Sequence, residues 1–190
     1  MQKLKVGFAL CGSFCTIEDA VKQIEFLSNI DLELYPIMSE IVASSDTRFT
    51  KAEELKQRVR DICQRNIITS IVAAEPIGPK RMLDALIVCP CTGNTLAKLA
   101  NGITDSAVTM AVKAHLRNNR PVILAIATND ALGGSAKNIG MLMNTKNIYF
   151  VPFRQDDPIS KEKSVIADFS LVYDTLTDAM NGKQKTPLFV

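Results

Sequence analysis

The sequence predicts an α/β fold, a doubly wound, Rossmann-like three-layer αβα sandwich built on a mostly parallel sheet. Three observations predict it. Short apolar runs alternate with longer amphipathic stretches of about 10–15 residues, the pattern of strand–helix–strand units. Apolar residues make up 47% and charged residues 22% of 190, the balance of one sizeable globular unit with a real core. No internal repeat, low-complexity tract or linker interrupts the chain, so residues 1–190 read as a single domain.

Leu4–Leu10 predicts the first strand, stopped by Cys11, Gly12 and Ser13. Thr16 then caps a helix to about residue 30, with Ile17, Val21, Ile24 and Leu27 on one face. Leu32–Met38 predicts the second strand, residues 39–49 a polar loop, and Thr50 the cap of a charged helix to residue 66. Residues 67–73 suit a short strand. Residues 75–79 suit only a loop, because Pro76 and Pro79 remove backbone donors and fix φ. A buried strand at 84–89 runs into Pro90. Helices are expected at 95–100 and 105–117, a strand at 121–127, a short helix at 138–144 and a strand at 148–151. Residues 155–190 are expected to form one helix, 161–180, and a polar tail. The tail ends in Pro187, Leu188, Phe189 and Val190, and either packs on a neighbouring chain or stays disordered.

The net charge of +2 is too small to argue for a nucleic acid or an anionic membrane as partner. Met1 to Lys5 lead straight into a strand with no secretory pattern, and no apolar run approaches a membrane span, so the cytoplasm is expected. Five cysteines make a disulfide framework unexpected. Cys11/Cys15 and Cys89/Cys91 lie in two loops that can meet. Neither pair has the CxxC spacing of a zinc site, so no metal is expected.

Ligands of open α/β sheets bind beyond the carboxyl ends of the strands, where strand order reverses. Four predicted loops lie there: 11–15, 39–49, 90–95 and 127–134, all rich in Gly, Ser, Thr or Asn. Gly12 and Ser13 before a helix suit a phosphate, although a plain glycine turn has the same composition. They match neither the dinucleotide fingerprint nor a Walker loop. In the third loop Thr92, Gly93, Asn94 and Thr95 allow a flat heterocycle to approach and be hydrogen-bonded; a polar capping loop is the alternative.

The stretch from Pro90 to Ser106 resembles the signature of the flavin-containing cysteine decarboxylases and flavin prenyltransferases: a proline and small residues, then Asn94 and Thr95, Lys98, Ala100, Gly102 and Asp105. The resemblance covers residues 4–152. It implies FMN as cofactor, held by Gly12, Ser13, Thr92, Gly93, Asn94 and Thr95, with Ser39 on its phosphate. It also implies a homo-oligomer, a trimer or a multiple of one. The chain departs from the family in three places. No histidine stands near Pro76, where the decarboxylases carry a catalytic one, and His115 sits inside a predicted helix as a structural residue. The substrate clamp Pro-Ala-Met-Asn reads Ile126, Ala127, Thr128, Asn129, keeping only the asparagine. No arginine falls in the loop where prenyltransferases use one.

The stretches 74–80, 127–133 and 146–153, with Thr47, Arg48 and Phe49, resemble a branch of the family that works with a second protein chain in spore formation. The resemblance implies oxidation of a dihydro precursor to pyridine-2,6-dicarboxylate. A dicarboxylate substrate calls for cations, and Arg48, Lys80 and Arg81 are the candidates, with Asn129 beside them; solvated surface charges are the alternative. Glu75 and Asp130 are the candidate bases. Three roles stay open: an FMN-dependent oxidation shared with the second chain, a non-catalytic flavin-binding scaffold, and a stand-alone decarboxylase or prenyltransferase.

Overall fold

The computed structural model describes residues 3–190, so Met1 and Gln2 of the N-terminal reading lie outside the described residues. The core begins with β1 (Leu4–Leu10), buried from Val6 onward. On one side β2 (Leu32–Met38) pairs with it in parallel, from Leu4↔Leu32 to Leu10↔Met38. On the other side lies β3 (Ala85–Cys91), also parallel, followed by β4 (Val122–Thr128). All seven residues of β3 are buried, as expected for a central strand covered by helices on both faces. The chain therefore reverses its direction of growth between β1 and β3, the switch point where such sheets bind ligands.

The outer edge of β4 is divided between two partners. β5 (Ile148–Phe150) runs parallel to Val122, Ile123 and Leu124. Beyond it, β6 (Phe153–Asp157) and β7 (Lys161–Ala167) form an antiparallel hairpin whose Val165 and Ile166 pair with Thr128 and Ala127. The seven-stranded sheet has the order β2-β1-β3-β4-β7-β6, with β5 also on β4, so it is mostly parallel and Rossmann-like. The helices are α1 (Ile17–Ser28), α2 (Glu40–Ser44), α3 (Ala52–Cys63), α4 (Ile71–Ala74), α5 (Gly93–Ala100), α6 (Ala107–Leu116), α7 (Ala136–Met143) and α8 (Val172–Met180). The predicted face of α1 is the one that docks: Ile17, Val21, Ile24 and Leu27 are all buried. Each such side chain contributes about 1.5–3 kcal/mol.

Several expectations are corrected. The helix expected at 161–180 is instead the second strand of the β6–β7 hairpin followed by α8. Asp157 makes the turn, because its Oδ1 accepts from Ile159 N at 3.1 Å and Ser160 N at 3.0 Å. Asp168 opens the next turn by accepting from Ser170 N at 3.0 Å. The tail packs on its own chain. Gln184 and Phe150 exchange hydrogen bonds of 2.8 and 2.7 Å, and the Phe189 ring sits edge-on to Phe153 at 5.2 Å.

The loop 39–49 contains α2, and Thr50 does not cap α3; Asp46 Oδ1 takes that helix's Ala52 N–H at 2.9 Å. Thr16 makes no cap either, since its hydroxyl turns back to Ser13 O at 2.9 Å. Of the strand expected at 67–73, only Ile68 bridges to Ile37, while Ser70 caps the turn α4. The strand expected to end before Pro90 continues through it to Cys91, with a register shift against β4 between Val88 and Cys91.

Candidate functional site

Two clefts meet at the carboxyl ends of the central strands. The larger, about 750 Å³, is lined by residues 12–16 after β1, Arg48 and Phe49 after β2, 92–94 after β3 and 127–130 at the end of β4. Its outer wall is the hairpin, through Asp156, Lys161 and residues 164–166. The smaller cleft, about 530 Å³, shares Gly12, Thr92 and Asn94 with it and reaches Ser39, Ser44 and Lys98. Pockets of this size hold a cofactor or a drug-sized ligand.

The first and third loops are joined at the switch point. The Thr95 hydroxyl donates to Cys11 Sγ at 3.3 Å and lies 3.1 Å from the Thr92 hydroxyl. Thr92 is the N-cap of α5, its Oγ1 accepting from Thr95 N at 3.2 Å. Gly93 follows directly, and a Cβ there would fall 2.6 Å from Thr128 Oγ1, 2.7 Å from Asp130 Oδ1 and 2.8 Å from Ser135 Oγ. Only glycine lets the β3 loop lie against that cluster. The cluster is itself bonded, Thr128 Oγ1 and Ser135 Oγ donating to Asp130 Oδ1 at 2.7 and 2.9 Å.

The residues present fit a flavin mononucleotide. A phosphate needs N–H donors near a helix start. Among the described residues, the amides of Gly12, Phe14 and Cys15 donate to no backbone acceptor, and they stand just ahead of α1. Ser39 Oγ is buried and makes no hydrogen bond, a condition that costs about 1–3 kcal/mol unless a ligand satisfies it. Asn94 and Asn129 are exposed in the cleft and their amides are bonded to no other described residue, leaving both for a heterocycle's polar edge.

The second loop is shaped by Thr47. Its Oγ1 accepts from Phe49 N at 3.2 Å and Thr50 N at 3.3 Å, a tight turn that presents Arg48 and Phe49 to the cleft. The guanidinium stacks 4.8 Å from the Phe49 ring centroid and has no carboxylate partner among the described residues. Lys161 is a lining residue that the sequence pattern misses, because its segment reads as a helix. It is held at 2.6 Å by Asp156, whose Oδ2 also lies 3.4 Å from the Ser164 hydroxyl.

Gly12, Ser13, Thr92, Gly93, Asn94, Arg48, Asn129 and Asp130 line the larger cleft; Ser39 and Thr95 line the smaller. Glu75, Lys80 and Arg81 line neither. They belong to the turns that enter β3, at its amino end, about one strand length or roughly 20 Å from the cleft. His115 is fully buried in α6, where Nε2 lies 3.1 Å from Pro121 O and Nδ1 has no partner among the described residues. Burial lowers its pKa to about 4, so it is neutral, and it lines neither cleft. The thiols of Cys11 and Cys63 are pushed up by burial to about 11 and about 12, and those of Cys89 and Cys91 are raised well above the usual range. Only Cys15 is exposed.

The flavoprotein family model matches residues 1–181. The chain is 47% identical over 186 residues to the B subunit of dipicolinate synthase from Bacillus subtilis, covering 98% of this chain and 93% of that one. The crystal structure of the same enzyme's B subunit from Bacillus halodurans superposes with a TM-score of 0.91 at 41% identity, over 100% of this chain and 98% of that one. The FMN-dependent cysteine decarboxylase TvaF, from thioviridamide biosynthesis, superposes with a TM-score of 0.57 at 25% identity, over 75% and 86%.

Proposed function

We propose, for a chain that belongs to the flavoprotein family, that it binds FMN and serves as the flavin-bearing subunit of dipicolinate synthase. With the A subunit of that enzyme it would oxidise a dihydrodipicolinate-type precursor to dipicolinate, pyridine-2,6-dicarboxylate. The setting is the cytoplasm of the mother cell of a spore former; no helix among the described residues is long and apolar enough to cross a membrane.

The observation that carries the FMN reading is the unpartnered, buried Ser39 hydroxyl, in the same loop cluster as the amides of Gly12, Phe14 and Cys15, which donate to no backbone acceptor among the described residues. Ser39, Gly12 and Ser13 take the phosphate, and Thr92, Gly93, Asn94 and Thr95 take the ring system. Bound FMN supplies a two-electron acceptor, which this chain's side chains do not. The chain's own residues do the rest. Arg48 offers a planar fork to a carboxylate, and Phe49 beside it is a flat apolar surface for a ring. Asn129 hydrogen-bonds the substrate's polar edge. Asp130 keeps Oδ2 free to accept the proton that aromatisation releases, while Thr128 and Ser135 hold Oδ1.

A homo-oligomer, a trimer or a multiple of one, fits the same reading. Support comes from an apolar recess of about 280 Å³ lined by Leu99, Ile103, Val112, Leu116, Met141 and Leu142, at which Ile103 and Met141 are exposed.

The test is direct. The purified chain is titrated with FMN and the flavin absorbance followed. It is then mixed, without oxygen, with the partner chain of the synthase and the dihydro substrate. Bleaching of the bound flavin supports the full reading. A chain that takes up no FMN overturns it, and a chain that binds FMN without bleaching is a scaffold.

A further inference from the structure

We infer that Lys161, carried by the β6–β7 hairpin, is the second carboxylate-binding cation of the site and makes it selective for a planar dianion over a monoanion. The inference rests on the dicarboxylate reading above and adds to it a residue and a specificity.

Four charged side chains line the larger cleft: Arg48, Lys161, Asp130 and Asp156. Each acid has one oxygen engaged within the protein. Asp130 Oδ1 accepts two hydroxyls, and Asp156 Oδ2 accepts from Lys161 Nζ and stands beside the Ser164 hydroxyl. The two cations are not used up. Arg48 has no carboxylate partner among the described residues. Lys161 gives one of its three N–H donors to Asp156 and, with its side chain 57% exposed, keeps the others for a ligand.

The cations come from opposite sides. Arg48 follows β2, on one flank of the sheet, and Lys161 begins β7, on the other; the β1 and β3 loops lie between them. Both side chains line the same cleft, so a ligand held there can be met by one cation from each flank. Two carboxylates flanking a flat ring match that arrangement of charge, with Phe49 exposed as a ring surface. A monoanion satisfies one cation only. Asp156 acts here as a positioning residue: it holds an otherwise flexible lysine against the wall, lowering the entropy lost on binding.

The hairpin also explains why the lysine is in place. β7 starts at Lys161 because the Asp157 turn closes β6 onto it, and pairing of Val165 and Ile166 with β4 fixes the register. The register shift between Gln155 and Asp157 in the β6–β7 pairing interrupts the strand's alternation, and Ser164 and Lys161 both line the cleft while Glu162 and Lys163 do not.

Calorimetry on the FMN-loaded chain tests this, with pyridine-2,6-dicarboxylate and pyridine-2-carboxylate as probes. The wild type is expected to prefer the dianion. Lys161→Met should weaken dianion binding about 10-fold, the loss of one charge-assisted contact at a half-exposed site, and leave monoanion binding within about twofold. Lys161→Arg should retain most of the preference, and Asp156→Asn should weaken the dianion less than Lys161→Met does. A Lys161→Met protein with the wild-type preference overturns the assignment of Lys161 while leaving the function standing. A wild type that loads FMN but binds neither probe overturns the dicarboxylate reading itself, and Lys161's role with it.

Discussion

Gly93→Ala is the sharpest test of how the two central loops are built. In a helix's first turn the change would ordinarily stabilise by about 0.5–1 kcal/mol, because glycine loses more backbone freedom on folding. Here the added methyl falls 2.6 Å from Thr128 Oγ1, 2.7 Å from Asp130 Oδ1 and 2.8 Å from Ser135 Oγ, all well inside van der Waals contact. The three atoms cannot all retreat without breaking the hydroxyl–carboxylate bonds of 2.7 and 2.9 Å between them. Hydrogen bonds to a charged group are worth about 1.5–3 kcal/mol each, and partial exposure of Asp130 discounts that. Losing most of the two, against the helix gain, leaves a net cost of about 1–3 kcal/mol. For a chain this size that is a fall in Tm of roughly 3–10 °C. FMN affinity should fall at least about 10-fold, because Asn94 and Asn129 flank the displaced atoms. Thermal unfolding and FMN titration read both effects. Asp130→Ala should be similarly destabilised, and the double variant should lose less than the sum, since both changes strike one cluster. A Gly93→Ala protein that melts like the wild type and binds FMN equally would refute the reasoning.

Ser39→Ala should leave the FMN-free chain as stable as the wild type or slightly more so, because it removes a buried unpartnered hydroxyl, while weakening FMN binding about 10-fold; equal FMN affinity would remove Ser39 from the phosphate seat. His115 has its folded pKa lowered to about 4 by burial, so the unfolded chain takes up its proton first as pH falls. Its contribution is complete above about pH 6.5 and is lost between there and about pH 4, at most roughly 3 kcal/mol. Urea unfolding across that range should show the loss, and His115→Gln should flatten it. Of the five thiols only exposed Cys15 should react quickly with a disulfide reagent in the native chain, and prior FMN loading should slow it; rapid titration of three or more thiols would contradict the burial of the rest.

What is legible in the sequence is what local pattern and burial decide together. β1, β2 and β4 sit within a residue of their expected bounds, because each is a short, mostly apolar run bounded by turn or loop residues, the pattern of a buried or half-buried strand. The loops at their carboxyl ends are legible for the same reason: once those strands are located, chain direction decides which residues gather at the cleft. Lys80 and Glu75 show the limit of that logic, since their loop precedes a strand and so lies at the other end of the sheet. The hairpin is illegible on different grounds. Lys161, Glu162 and Lys163 are good helix formers, and the hairpin with β6 together with the pairing of Val165 and Ile166 to Thr128 and Ala127, more than thirty residues away, makes the segment a strand. Strand preference of this kind is a property of the neighbour as much as of the residue. The same non-local pairing supplies the outer wall of the cleft. The one lining cation that local pattern misses, Lys161, is therefore set in place by the last strand added to the sheet, apart from the β1 and β3 loops proposed for the flavin.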